Sequence, residues 1–221
     1  SGPDAASKEL DFILNITDTP ILLDMVGEET KKETLNYVNE VGIHDRVVYN
    51  SINNETKEEE LQLIKNSKIT SAIILAYASN VFTTDMRIKV AKNVLEKALK
   101  VGVSKPLIDT YILDIPSLGM GCKAMFKLKN ELGYPVGGGT ENAVSTWRGL
   151  KLKMGKQAKQ PCIASAAVTA VLVGADFVLY GPIESAPYVF PAVAMVDASL
   201  EQLAIEAGAK VNKTLPIFKI P

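Results

Sequence analysis

The order of residues in this chain predicts an α/β fold built on a parallel sheet, and three observations carry that reading. Short apolar runs alternate with longer stretches of helical period; the runs are apolar at consecutive positions, as strands covered on both faces are; and those between residues 20 and 137 close on polar residues or glycine. An open doubly wound sheet and a closed (β/α)8 barrel both satisfy the alternation. The barrel is favoured, because no GxGxxG turn follows the first strand, and Gly137-Gly138-Gly139 comes late without the third spaced glycine. Polar residues at the C-terminal ends of strands are also where a barrel assembles its site.

Element by element, a helix from Asp4 to Ile16 comes first. Strand Pro20–Asp24 leads into helix Glu29–Val41, where Leu35, Val38 and Val41 share one face and Gly42 can end the helix. Arg46–Asn50 leads into Lys57–Asn66, with Leu61 and Ile64 as its buried stripe and Glu58, Glu59 and Glu60 near the positive end of the dipole. Ser71–Tyr77 is followed by Thr84–Lys100, whose apolar seam is Ile88, Ala91, Leu95 and Ala98. Pro106–Asp109 precedes helix Met120–Leu132, and Tyr134–Gly137 precedes helix Glu141–Lys153. An alanine-rich helix, Ile163–Val173, comes before strand Asp176–Tyr180, and Ala192–Ala207 follows it. A barrel of this kind needs eight strands in about 250 residues. Six are legible here, so strands one and two are expected to be absent from what reads as a single domain, residues 1–221.

The balance of 24 basic against 25 acidic residues leaves a net charge of −1, which excludes binding to nucleic acid or anionic lipid driven by a broad positive field. Cys122 and Cys162 are far apart and lack ligand spacing, and His44 is the one histidine, so no metal centre is expected. Both cysteines are expected as buried helix residues, and His44, before its strand, as a structural residue. The apolar stretch Ile163–Val173 is shorter than the roughly 20 residues of a membrane span. A soluble, cytoplasmic protein without an integral membrane segment is the expectation, with Ser1, Gly2 and Pro3 read as a linker or cloning remnant.

Asp24, Asn50 and Asp109 stand at the ends of three strands, so in a closed barrel they converge on one mouth. A carboxylate can accept two parallel hydrogen bonds from an amide and amino edge, and an amide side chain can both donate and accept, a combination that suits a planar heterocycle. Each residue alone could instead cap the helix or turn that follows it. Ser51 lies in a small polar loop with Asn53 and Asn54, where the competing reading is an Asx turn. Gly138 and Gly139 would let a ligand approach the backbone or simply form a tight strand-to-helix turn, with Thr140 capping the helix that holds Glu141 and Asn142. Trp147 and Arg148 read as packing, and the Lys151–Lys159 run as a solvated face that could also meet an acidic partner.

Longer strings carry a resemblance. Tyr49-Asn50-Ser51-Ile52-Asn53, Pro106-Leu107-Ile108-Asp109, Tyr134 through Gly139, Asp176 through Glu184 and Val189 through Asp197 are similar to the H-subunit family of tetrahydromethanopterin S-methyltransferase, through nearly the whole chain. Ile108 through Leu118 resembles bacterial members that move a methyl group from a methylated corrinoid protein to tetrahydrofolate. The wider relatives are the pterin-binding barrels, including dihydropteroate synthases. The resemblance implies a pterin-binding (β/α)8 barrel and a corrinoid-dependent methyltransferase acting on the ring nitrogen of a reduced pterin. Tetrahydrofolate is the expected carrier, with tetrahydromethanopterin as the alternative, and cobalamin is expected to be held by a partner protein. It implies pterin contacts by Asp24, Asn50 and Asp109, a catalytic pair of Asn142 and Asp24, no metal ligand in this chain, and a homodimer; Ser51, Gly138 and Gly139 join the expected pterin contacts from the loop and turn they occupy. A synthase joining a pterin to an arylamine and a non-catalytic subunit that docks a corrinoid protein are the competing classes. The first would need a phosphate-binding Arg or Lys that the glycine turn lacks; the second would fail to turn over free methylcobalamin.

Overall fold

The computed structural model describes residues 3–80 and 82–219. The linker reading of Ser1 and Gly2 lies outside the described residues, and Pro3 is the first residue of a helix. The chain divides into two compact units, one drawn from Ser1–Val81 and Lys89–Asp109, the other from Phe82–Ile88 and Thr110–Pro221.

The first unit holds α1 (Pro3–Ile16), β1 (Ile21–Asp24), α2 (Glu28–Val41), β2 (Val47–Ile52), α3 (Glu58–Asn66), β3 (Ser71–Leu75), the larger part of α4 (Thr84–Lys100) and β4 (Lys105–Asp109). Its four strands run parallel in chain order, with Ile21 opposite Val47, Val48 opposite Ser71, and Ser71 opposite Lys105. That register places Val47, Tyr49, Ala72, Ile74 and Ile108 on one face of the sheet, and all five are fully buried. The helices bury their own stripes, Leu35 and Val38 on α2, Leu61 and Ile64 on α3, and Ala91, Leu95 and Ala98 on α4. Each large aliphatic side chain so placed contributes about 1.5–3 kcal/mol of burial. Gly42 ends α2 with φ 75°, a left-handed conformation costly for a residue with a Cβ.

The second unit holds the first turn of α4, then α5 (Ile115–Leu132), β5 (Val136–Gly138), α6 (Glu141–Ser145), α7 (Arg148–Met154), α8 (Lys159–Leu172), β6 (Phe177–Val178) and α9 (Ala186–Glu206). β5 and β6 are parallel, with Gly137 opposite Phe177 and Gly138 opposite Val178. A Cβ on Gly137 would lie 2.8 Å from the Phe177 ring and closer still to the Phe177 carbonyl, so this pairing needs glycine. Val144, Leu150, Ile163, Ala166, Ala167 and Val189 form an apolar cluster in this unit.

Several expectations are corrected here. α5 begins at Ile115 rather than Met120, because the Asp114 carboxylate accepts from the Ser117 N–H at 2.9 Å while Ser117 Oγ accepts from the Asp114 N–H at 2.8 Å, a reciprocal cap. The single helix expected over Glu141–Lys153 is two, α6 and α7. Thr146 Oγ donates to the Leu113 and Asn142 carbonyls at 3.1 and 2.9 Å, and Trp147 leaves the helical region at ψ 81°. The strand expected over Asp176–Tyr180 pairs only at Phe177 and Val178. Cys122 is buried on α5, but Cys162 on α8 is half-buried; both are free thiols. α9 starts at Ala186 rather than Ala192, and Ile183–Glu206, with a mean hydropathy of 1.2, is by length and composition alone the one helical segment among the described residues able to cross a membrane.

Candidate functional site

In the first unit Asp24 and Asn50 are direct partners across β1 and β2, so their side chains leave the sheet on the same face. Asp109, opposite Leu75, reaches that face by the alternation along β4 from Lys105. It is the face turned away from the buried Tyr49, Ile74 and Ile108 set. The three groups differ in solvation: Asp24 is exposed, Asn50 half-buried and Asp109 only 5% exposed. β2 is irregular where it matters. Tyr49 sits opposite Ala72 and Ile52 opposite Ile74, three steps against two, so Asn50 and Ser51 occupy a bulge. A cis peptide bond joins these two residues.

On the other face of β2 the Tyr49 hydroxyl donates to Glu60 Oε1 at 2.7 Å, and Lys31 Nζ donates to both Glu60 oxygens at 3.0 and 2.9 Å. Burial, with the Glu60 hydrogen bond added, pushes the Tyr49 phenol far above its ordinary value of 10.0, so it remains a donor. The loop beyond is held by its own turn chemistry. Asn53 Oδ1 accepts from the Glu55 N–H at 2.8 Å, and the Asn53 N–H donates to Thr56 Oγ at 2.9 Å. Asn53 therefore takes the Asx-turn role. The Asn54 carbonyl accepts from Lys97 at 3.2 Å. His44 lies in a short 3-10 turn ahead of β2, 3.8 Å from Asp45, at the opposite end of the strand from Asn50.

The second unit gathers Gly138, Gly139 and Asn142 at the end of β5. Asn142 Nδ2 donates to the Ile112 carbonyl at 3.0 Å and lies over Gly139, where a Cβ would meet it at 2.8 Å. The Thr110 N–H donates to the Gly137 carbonyl at 3.0 Å. Sequence reasoning missed Arg87, which is 2% exposed and donates through Nε to the Tyr111 carbonyl at 3.3 Å and through Nη1 to the Thr83 carbonyl at 3.4 Å. Its guanidinium sits 6.0 Å from the Tyr111 ring centroid, and burial lowers its pKa. Nothing in the helical period of α4 distinguishes Arg87 from a solvated arginine. Among the described residues no three His, Cys, Asp or Glu side chains gather as a metal-ligand set.

Solved structures set the class. The chain is similar to dihydropteroate synthase of Yersinia pestis solved with a pterine-sulfa conjugate, with a TM-score of 0.67 over 90% of this chain and 75% of that one at 15% identity. A second structure of the Yersinia pestis synthase gives a TM-score of 0.62 over 88% and 78% at 15% identity. The fold is therefore the (β/α)8-barrel fold of these synthases, with six βα units in the described residues.

The chain belongs to the tetrahydromethanopterin S-methyltransferase MtrH subunit family, whose model matches residues 1–212. The H subunit of tetrahydromethanopterin S-methyltransferase from Methanothermobacter thermautotrophicus is 34% identical over 99% of this chain and 74% of its own length. The Methanopyrus kandleri counterpart is 35% identical over 95% and 70%. The family is one of methyltransferase subunits.

Proposed function

We propose that this chain binds a reduced pterin and orients its ring nitrogen for methyl exchange with a corrinoid carried by a partner protein. The observation that carries this reading is the shared sheet face of Asp24, Asn50 and Asp109, with the bulge at Asn50 and Ser51 beside it. A buried carboxylate is the group best suited to accept the paired amino and amide N–H donors of a pterin pyrimidine, and Asp109 is the buried one of the three. Asn50 offers both a donor and an acceptor to the neighbouring ring atoms, and Asp24 offers a second carboxylate at the solvent side. Gly138 and Gly139 stay backbone contacts in this proposal, Gly139 lying beneath the Asn142 amide. Asn142, with one amide hydrogen committed to Ile112, keeps Oδ1 and its second hydrogen for the reacting nitrogen. These residues act by orientation and by a fixed polar field. The corrinoid, when its protein docks, supplies the cobalt that exchanges the methyl group.

The relatives named above favour tetrahydromethanopterin as the carrier over the tetrahydrofolate that the sequence reading preferred. Their being named as subunits supports action within an assembly, and a homodimer stays part of the proposal. A fold match spanning 90% of the chain supports reading residues 1–221 as one domain. Calorimetric titration with each reduced pterin tests the site. Asp109→Asn keeps the side chain's shape but sets an amide against the ring's donors, removing charge-assisted bonds of about 1.5–3 kcal/mol. Affinity should fall about 10- to 100-fold, with the melting curve of the variant as a check on folding. Unchanged affinity would refute the assignment of Asp109.

A further inference from the structure

The turn that follows β4, Thr110–Asp114, is held from more directions than a link between a strand and a helix needs. Its three middle carbonyls each accept from a different side chain of the second unit: Tyr111 from Arg87 Nε at 3.3 Å, Ile112 from Asn142 Nδ2 at 3.0 Å, and Leu113 from Thr146 Oγ at 3.1 Å. Three of its N–H groups are engaged as well, Thr110 donating to the Gly137 carbonyl at 3.0 Å, and Leu113 and Asp114 to Ser117 Oγ, both at 2.8 Å. α5 closes on it from one side, since a Cβ on Gly121 would lie 2.9 Å from the Ile112 side chain. Enclosed in this way, Tyr111 takes φ 58°, a left-handed conformation that a bulky residue rarely adopts and that persists only where the surroundings impose it.

Of the three side-chain donors, Arg87 is the one whose burial opposes folding. It is 2% exposed, so a guanidinium has been taken out of water, and that burial lowers its pKa while Asp114 supplies a favourable field. Its side chain bonds two neutral carbonyls, Tyr111 and Thr83, with the Tyr111 ring 6.0 Å away. The Thr83 carbonyl already accepts from the Arg87 N–H at 3.1 Å, so what the side chain alone supplies is the hold on Tyr111. Next in the chain is Ile112, and a carbonyl accepts only from the nitrogen end of an amide. Ile112 therefore decides which end of the Asn142 side chain faces the turn and keeps Oδ1 directed away from it. We infer that Arg87 is a positioning residue for methyl exchange: by holding Tyr111 in its left-handed conformation it sets the Ile112 carbonyl that aims the Asn142 amide. This rests on the reading above of Asn142 as the group at the reacting nitrogen, and every residue in the series of contacts belongs to the second unit.

The test measures methyl transfer from free methylcobalamin to tetrahydromethanopterin and to tetrahydrofolate by the native chain, Arg87→Met, Asn142→Ala and the double variant. Arg87→Met should lower kcat about 100-fold, the loss that a misplacement of about 1 Å brings, while the pterin Kd from calorimetry stays within about twofold. Because the two residues act as one unit, the double variant should be no slower than Asn142→Ala alone. Arg87→Lys, which keeps the charge and one donor, should recover part of the rate; thermal melts show which variants are folded, and where Arg87→Met is not, Arg87→Lys carries the same comparison. Losses that multiply in the double variant, an unchanged kcat in Arg87→Met, or a loss that falls on pterin affinity instead would each overturn the inference and leave the pterin site standing. A second readout needs no turnover. The paired proton resonances of the Asn142 side-chain amide, assigned by their absence in Asn142→Ala, should shift and exchange faster with water in Arg87→Met. If the native chain neither binds a pterin nor transfers a methyl group, the reading of the site falls; a displaced Asn142 amide then keeps Arg87 as the residue that sets it, and an undisturbed one discards both.

Discussion

Replacing Asp114 by alanine tests how the second unit holds the turn that follows β4. The wild-type carboxylate accepts from the Ser117 N–H at 2.9 Å, whereas Ser117 Oγ accepts from the Leu113 and Asp114 N–H groups, both at 2.8 Å. The substitution removes the first bond and leaves the other two, so the loss is that of one N-cap, about 1 kcal/mol within a range of about 0.5–2. For a chain of this size that lowers Tm by about 2–4 °C near neutral pH. The hydrogen bonds from Ser117 hold the Asp114 carboxyl below its ordinary 3.8, which sets the sign of the pH dependence. A folded-state pKa below the unfolded one stabilises the fold fully above the unfolded pKa and stops doing so as pH falls through the folded value. The Tm gap between wild type and variant should therefore be widest near neutrality and narrow below about pH 4. Paired thermal melts across that range check this. A gap that is absent near neutrality, or constant into acid, would refute the capping argument.

Other outcomes follow from the same contacts. Gly137→Ala should cost about 1–3 kcal/mol in denaturant unfolding, because its methyl group runs into the Phe177 carbonyl and ring. Tyr49→Phe should cost about 0.5–1.5 kcal/mol by the same measure, since Glu60 keeps Lys31 but loses its phenol donor. Cys162 should react with a thiol reagent well before Cys122, whose burial raises its pKa from 9.0, and equal labelling rates would contradict the burial of α5.

Where residue pattern and local chemistry agreed, the sequence was legible. Thr84–Lys100 is a helix with the bounds its apolar seam predicted, and Asp24 and Asp109 end their strands as read, whereas β2 runs on past Asn50 to Ile52. Polar residues closing apolar runs are a strong signal, because few other places in a buried strand tolerate them. The failures share a cause, which is that bonds between distant residues decided the local structure. The Thr146 hydroxyl reaches the Leu113 carbonyl, thirty-three positions earlier, where α6 ends and Trp147 leaves the helical region, and no periodicity reports that. Asp114 followed by Pro116 and Ser117 did carry a helix-start signal, masked by Gly119 and Gly121 in the first turns. The bulge in β2 was invisible, since an extra residue shows only against the partner strand. Arg148, Lys151 and Lys156 were read as a solvated face because charge runs usually are; their shared concavity exists only once α6 and α7 separate.

The pleat of β2 makes neighbours into opposites, with Tyr49 fastened to α3 from behind and Asn50 facing forward. The orientational freedom of that backbone is given up during folding, before any ligand arrives. If the proposed pterin site is occupied, a ring docking on Asn50 meets a surface with little left to order, and the remaining entropic penalty of association resides mostly in the ligand. Inhibitor chemistry on this face should gain more from stiffening the small molecule than from adding contacts along the strand.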